Sequence, residues 1–112
     1  AVPSSGAASV YPSSITIAGA AGTISSLGVR LTGVSHTWPD DLDILLVGPG
    51  GQRVMLMSDV GAGTDLVDVN LEFQDGAPAM PDGGPITSGT YGPTNFGTSD
   101  AMPAPAPAEP YN

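Results

Sequence analysis

Val67, Val69, Leu71 and Phe73 alternate with Asp68, Asn70 and Glu72. Side chains along a strand point to opposite faces by turns, whereas a helix brings them round only every 3.6 residues. This run therefore predicts a strand buried on one face, and it cannot make an amphipathic helix. A second alternation lies in Ile24–Val34, where Leu27, Val29 and Leu31 are interleaved with Gly28, Arg30 and Thr32. Ile15-Thr16-Ile17 is a shorter run of the same kind, followed by a turn at Gly19–Gly22. The most apolar run, Leu42-Asp43-Ile44-Leu45-Leu46-Val47, is separated from Gln52–Met57 by Gly48-Pro49-Gly50-Gly51. Pro at the second turn position and Gly at the third predict a type II turn and hence a hairpin. Val54 and Leu56 would line one face of it, Met55 and Met57 the other. With both faces apolar, the hairpin should be covered on both sides. No stretch of useful length carries the helical period. About five strands, with turn signals every eight to twelve residues, predict an all-β sandwich.

The apolar residues are not spread evenly. Residues 15–73 hold 20 of the 24 Leu, Ile, Val and Phe but only 2 of the 12 prolines, Pro39 and Pro49. We expect a flexible lead-in over 1–13, the sandwich over 14–100, and an extended Pro/Ala-rich tail over 101–112. After Asp75 the pattern dissolves. Strands with apolar faces need a second layer, and nothing after residue 73 reads as a strand that could supply one. Either loops pack over the open face, or a second copy or another strand-completing segment closes it.

Eleven acidic residues face two arginines (Arg30, Arg53) and no lysine, a net charge of −9. Nucleic-acid binding needs several cationic side chains to neutralise phosphates, so that class is excluded, and an anionic membrane surface with it. No run approaches the roughly 18 apolar residues of a membrane helix. Without cysteine there are no disulfides, thiol nucleophiles or Cys-ligated metals. An acidic surface free of Lys and Cys suits a secreted or cell-surface protein that holds hard cations.

Catalytic chemistry finds little support. The only histidine, His36, sits in Ser-His-Thr-Trp-Pro, and no G-x-S-x-G elbow accompanies it. It reads as a packed turn residue, not a general base. One His without H-E-x-x-H leaves catalytic zinc without ligands. A glycosidase carboxylate pair would want aromatic sugar platforms, and the chain has one Trp, three Tyr and two Phe. Trp38, Tyr91 and Phe96 are the contact candidates if the chain is an adhesion module binding carbohydrate or protein; otherwise they anchor loops.

Calcium is the cofactor that the acids suggest. It takes six to eight oxygen ligands from carboxylates, carbonyls and water. Asp41 and Asp43 crowd the start of the most apolar strand, Asp59 and Asp65 flank the Gly-rich loop, and Asp75 follows the last alternating run. These five are the candidate ligands. The competing reading makes them solvated loop acids or turn-capping aspartates. There is no EF-hand loop. Arg53, across the hairpin, is the alternative partner of Asp43.

The stretch GVRLTGVSHTWPDDLDILLVGPGGQRVMLMSDVGAGTD resembles the P domain (P/Homo B domain) that follows the catalytic domain of subtilisin-like proprotein convertases, in its bacterial secreted form. The shared features are an alternating strand ending in Ser-His-Thr, an Asp-Leu pair opening a hydrophobic strand, Gly-Pro-Gly-Gly, and a strand running into Ser-Asp and a Gly-rich loop. VDVNLEFQDGA and TSGTYGPTNFGTSDAMPAPAPAEPY are similar too. His36-Thr37 and Asp41-Leu42 match the family pattern directly. The resemblance implies a jelly-roll β-sandwich (galactose-binding-like) without catalytic residues. It also implies a partner: an attached or neighbouring protease whose folding, stability and calcium dependence the module supports. Family members continue past the Pro-rich stretch into further strands, including a Gly-x-Trp segment. The resemblance therefore implies an incomplete sandwich here.

Overall fold

A computed structural model describes residues 6–16, 27–97 and 101–111. Among the described residues the strands are β1 (Val29–His36), β2 (Ile44–Val47), β3 (Arg53–Ser58), β4 (Leu66–Phe73), β5 (Gly89–Tyr91) and β6 (Thr94–Asn95), with a 3₁₀ turn at Pro39–Asp41. Two three-stranded sheets form, ordered β1-β4-β5 and β2-β3-β6. β1 and β2 pair antiparallel with β4 and β3, while β5 and β6 add to β4 and β3 in parallel. The core between the sheets joins Leu56 and Met57 to Leu66, Leu71 and Phe73, with Val29, Leu31, Ile44 and Leu46 packed against it. This is the expected all-β, sandwich-like arrangement. Burying one such side chain stabilises by about 1.5–3 kcal/mol. Ile15 and Thr16 form no strand, and Ile15 is 90% exposed; the readings at Ile17 and Ile24–Ser26 lie outside the described residues.

The strands are where the alternation puts them, but their faces are not. From Leu31↔Leu71 to Val34↔Val69, β1 uses one residue more than β4; from there to His36↔Leu66, β4 uses one more than β1. Each surplus residue is a bulge. Gly33 (φ +66°) and Asp68 (φ +50°) mark the two. They lock together: the Asp68 amide donates to Ser35 Oγ at 2.9 Å, and the Gly33 amide to Asn70 Oδ1 at 3.0 Å. The bulge on β4 turns Leu66 into the core and leaves Val67 72% exposed, so Val67 leaves the face on which the alternation placed it. A third irregularity lies on β3, where Ile44 faces Met57 but Leu45 faces Met55. Leu56 is the extra residue, and both it and Met57 enter the core. Met55 is thereby separated from Met57 and shares the outer face with Leu45, Val47 and Arg53.

The hairpin turn also differs. The Gly51 amide donates to Gly48 O and the Gly48 amide to Gln52 O. The left-handed residue is Gly51 (φ +84°), one position later than a type II turn requires. This is a type I turn followed by a G1 bulge, the usual three-residue hairpin loop.

The second layer is the β2–β3 hairpin, and each sheet gains one short strand from beyond residue 73, where the sequence predicts none. β5 and β6 are too short to carry a period. Between Phe73 and β5 the chain sends Met80 (2% exposed) and Ile86 (5%) into the core. Thr94 secures this crossing: its hydroxyl donates to Gly92 O at 2.8 Å and accepts from the Met80 amide at 3.0 Å. Residues beyond Phe73 thus widen both sheets and add Met80 and Ile86 to the core between them.

Candidate functional site

Antiparallel pairing gathers the chain's loops at two ends. The end of β1, the 3₁₀ turn, the start of β2, the Gly-rich loop 58–65 and the start of β4 share one end, the loop pole. The hairpin 48–51, the start of β1 and the end of β4 share the other, the hairpin pole.

The loop pole is held by backbone contacts. The Asp40 amide donates to Ala62 O, and the Gly61 amide to Pro81 O at 2.9 Å. A Cβ on Gly61 would fall 2.6 Å from Ile86 Cδ1, and one on Gly63 would fall 2.6 Å from the Trp38 indole. Gly61, left-handed at φ +79° and also 3.2 Å from Pro39 Cβ, needs to be glycine, whereas Gly63 lets the indole lie close on the loop. Trp38 rests on Gly63 and remains 52% exposed.

Four of the five candidate calcium ligands stand here. Asp41 is exposed at the end of the 3₁₀ turn. Asp43 is half-buried and accepts a 2.7 Å hydrogen bond from Ser58 Oγ. Asp59 takes the left-handed conformation (φ +55°) directly after β3, beside Gly97. Asp65 is exposed immediately before β4. Asp75 is not with them. It lies beyond the far end of the eight-residue β4, about 26 Å away along the strand. There it borders an apolar slot of about 80 Å³ between the sheets, lined by Leu27, Val29, Leu46 and Phe73. Among the described residues, no group of three or more Asp, Glu or His side chains stands close enough to hold a metal ion.

The sequence places Ser58 in the Ser-Asp pair that ends the hairpin strand but does not reveal its bond to Asp43. Ser58 is fully buried, and it joins the carboxylate before β2 to the end of β3. Its only signal was a hydroxyl closing an apolar run. Arg53 does not reach Asp43. It pairs with Val47 at the hairpin pole and donates instead to Pro110 O at 3.2 Å and Gly51 O at 3.1 Å. Arg30 lies in the same half of the molecule, 3.5 Å from Glu72.

His36 is bound to its own turn: the Trp38 amide donates to its Nδ1 at 3.1 Å. Tyr91 donates from its hydroxyl to Thr87 O at 2.8 Å, and Phe96 packs against the core. Both anchor loops. No protein-family model, curated protein or solved structure matches this chain.

Proposed function

We propose that the chain is a non-catalytic, extracellular accessory module of P-domain type, a jelly-roll sandwich that stabilises an attached or neighbouring secreted protease and is itself stabilised by calcium. The observation that carries this reading is the separation of charge. Asp40, Asp41, Asp43, Asp59 and Asp65 sit on loops at one pole, while Arg30 and Arg53 are engaged in the other half of the molecule. Carboxylates gathered without a guanidinium repel one another, and a divalent cation relieves that repulsion. The tethering of His36 to Trp38 supports a scaffold role over general-base chemistry.

Thermal unfolding in EGTA and in millimolar CaCl₂ tests the calcium part. A ligand at a hundredfold excess over its Kd adds about 2.7 kcal/mol. For a domain of this size that is a rise of roughly ten degrees or more; an unchanged melting temperature removes the calcium site. The accessory role is tested by the half-life, at elevated temperature, of a secreted subtilisin-type catalytic domain joined to this module. A half-life unchanged by the module overturns that role. The half-exposed Trp38 favours a second reading, an adhesion module. Retention on glycan supports, lost in Trp38→Ala, would establish it.

A further inference from the structure

The outer face of the β2–β3 hairpin has a cover that the core does not provide. Leu45 and Met55 face each other across the ladder, and neither belongs to the core cluster. Yet Met55 is only 2% exposed. Arg53 shares this face, two residues before Met55, and its Nε grips the carbonyl of Pro110. The next residue, Tyr111, is 7% exposed and also stands outside the core cluster. Its hydroxyl donates to Pro107 O at 2.9 Å and accepts from the Met102 amide at 3.2 Å, which folds residues 102–111 around the ring. The Pro/Ala-rich tail, expected to be extended, instead turns around Tyr111 and is tied to the body at Arg53.

The kind of contact matters. Pro103, Pro105, Pro107 and Pro110 have no amide hydrogen, so this segment is a poor addition to a ladder. What it offers the hairpin is one carbonyl acceptor, Pro110 O, followed by one aromatic ring; the Pro103 and Pro107 carbonyls accept from Tyr11 and Tyr111 instead. The hairpin face offers a guanidinium for a carbonyl and an apolar strip of Leu45 and Met55. Such recognition is portable, because proline rings fix φ before docking and so reduce the entropy lost in taking up the bound turn. We propose that this face is a docking groove for a proline-rich partner peptide carrying a tyrosine, and that residues 101–111 occupy it in cis. The proposal is independent of calcium and of the protease-accessory reading.

The probe is a fluorescein-labelled peptide with the sequence of residues 101–112, followed by anisotropy with the full-length chain. In the unsubstituted protein the tethered tail competes at an effective concentration on the order of millimolar. Tyr111→Ala weakens that competitor and should bind the probe at least about tenfold more tightly. Adding Arg53→Gln to Tyr111→Ala should reverse most of the gain, and a probe lacking its tyrosine should not bind. A Tyr111→Ala protein with native circular dichroism that binds no probe overturns the groove, and so does equal binding of a scrambled peptide. Should Tyr111→Ala fail to fold, Tyr111→Phe takes its place: it keeps the ring but loses the hydroxyl's bonds to Pro107 O and the Met102 amide. It should bind the probe more tightly than the unsubstituted protein does, and no gain overturns the proposal.

Discussion

The two poles of the sandwich are built by different means. At the loop pole, segments far apart in sequence meet: the 3₁₀ turn, the Gly-rich loop and the 76–88 crossing. Three left-handed residues, Asp59, Gly61 and Ala62, fall within four positions there. At the hairpin pole a single local turn joins neighbouring strands, with Gly51 left-handed in open space. The first pole depends on backbone close to backbone and carries five of the eleven acids. The second leaves an apolar slot and an outer face to which the tail is tied. A substitution should thus cost much more at the loop pole than its chemical equivalent at the hairpin pole.

Gly61→Ala is the strongest way to break that comparison. The new methyl would need φ +79° and would meet Ile86 at 2.6 Å and Pro39 at 3.2 Å. Left-handed strain and overpacking each cost about 1–3 kcal/mol, so we expect a loss of roughly 3 kcal/mol or more in urea unfolding. Gly51→Ala carries the same strain (φ +84°) with nothing within 4 Å, and should cost only about 1 kcal/mol. Equal losses would mean that the packing of the loop pole contributes nothing.

These glycines also show what was legible in the sequence. The strands could be read because burial on one face imposes a period of two, and the hairpin because Pro and Gly punctuate it. The faces could not, since a bulge inverts the alternation after itself and leaves no mark in composition. Gly33 and Asp68 look like ordinary members of their runs, yet between them they expose Val67 and bury Leu66. β5 and β6 were illegible because strands of three and two residues have no period to detect. Of the candidate ligands, Asp41, Asp43, Asp59 and Asp65 share one pole because they border connected loops, though no three of them stand close enough to hold a metal ion. Asp75 was misgrouped because a strand carries its end to the opposite pole.

Ser58→Ala is the next smaller effect at the loop pole. The hydroxyl is buried and donates to a part-buried carboxylate. Hydrogen bonds to charged groups contribute about 1.5–3 kcal/mol, so we expect a loss of about 2 kcal/mol. Ser58→Thr keeps the donor but adds a methyl to a fully buried position, and should lose as much by overpacking. Full stability in Ser58→Ala would mean that Asp43 is held by its other contacts alone.

Arg30→Ala is the smallest and tests the comparison from the opposite side. The side chain is 69% exposed and meets Glu72 at 3.5 Å, an ion pair of a type worth at most about 1 kcal/mol and screened by salt. Thermal unfolding should move by a degree or two at low ionic strength and less in molar salt. The loop-pole carboxylates begin six strand residues, roughly 20 Å, from Arg30, beyond the Debye length of about 10 Å at 0.1 M salt. CaCl₂ and sodium chloride of equal ionic strength should therefore shrink the Arg30→Ala penalty alike. A penalty that changes in CaCl₂ alone would mean that the two poles are coupled.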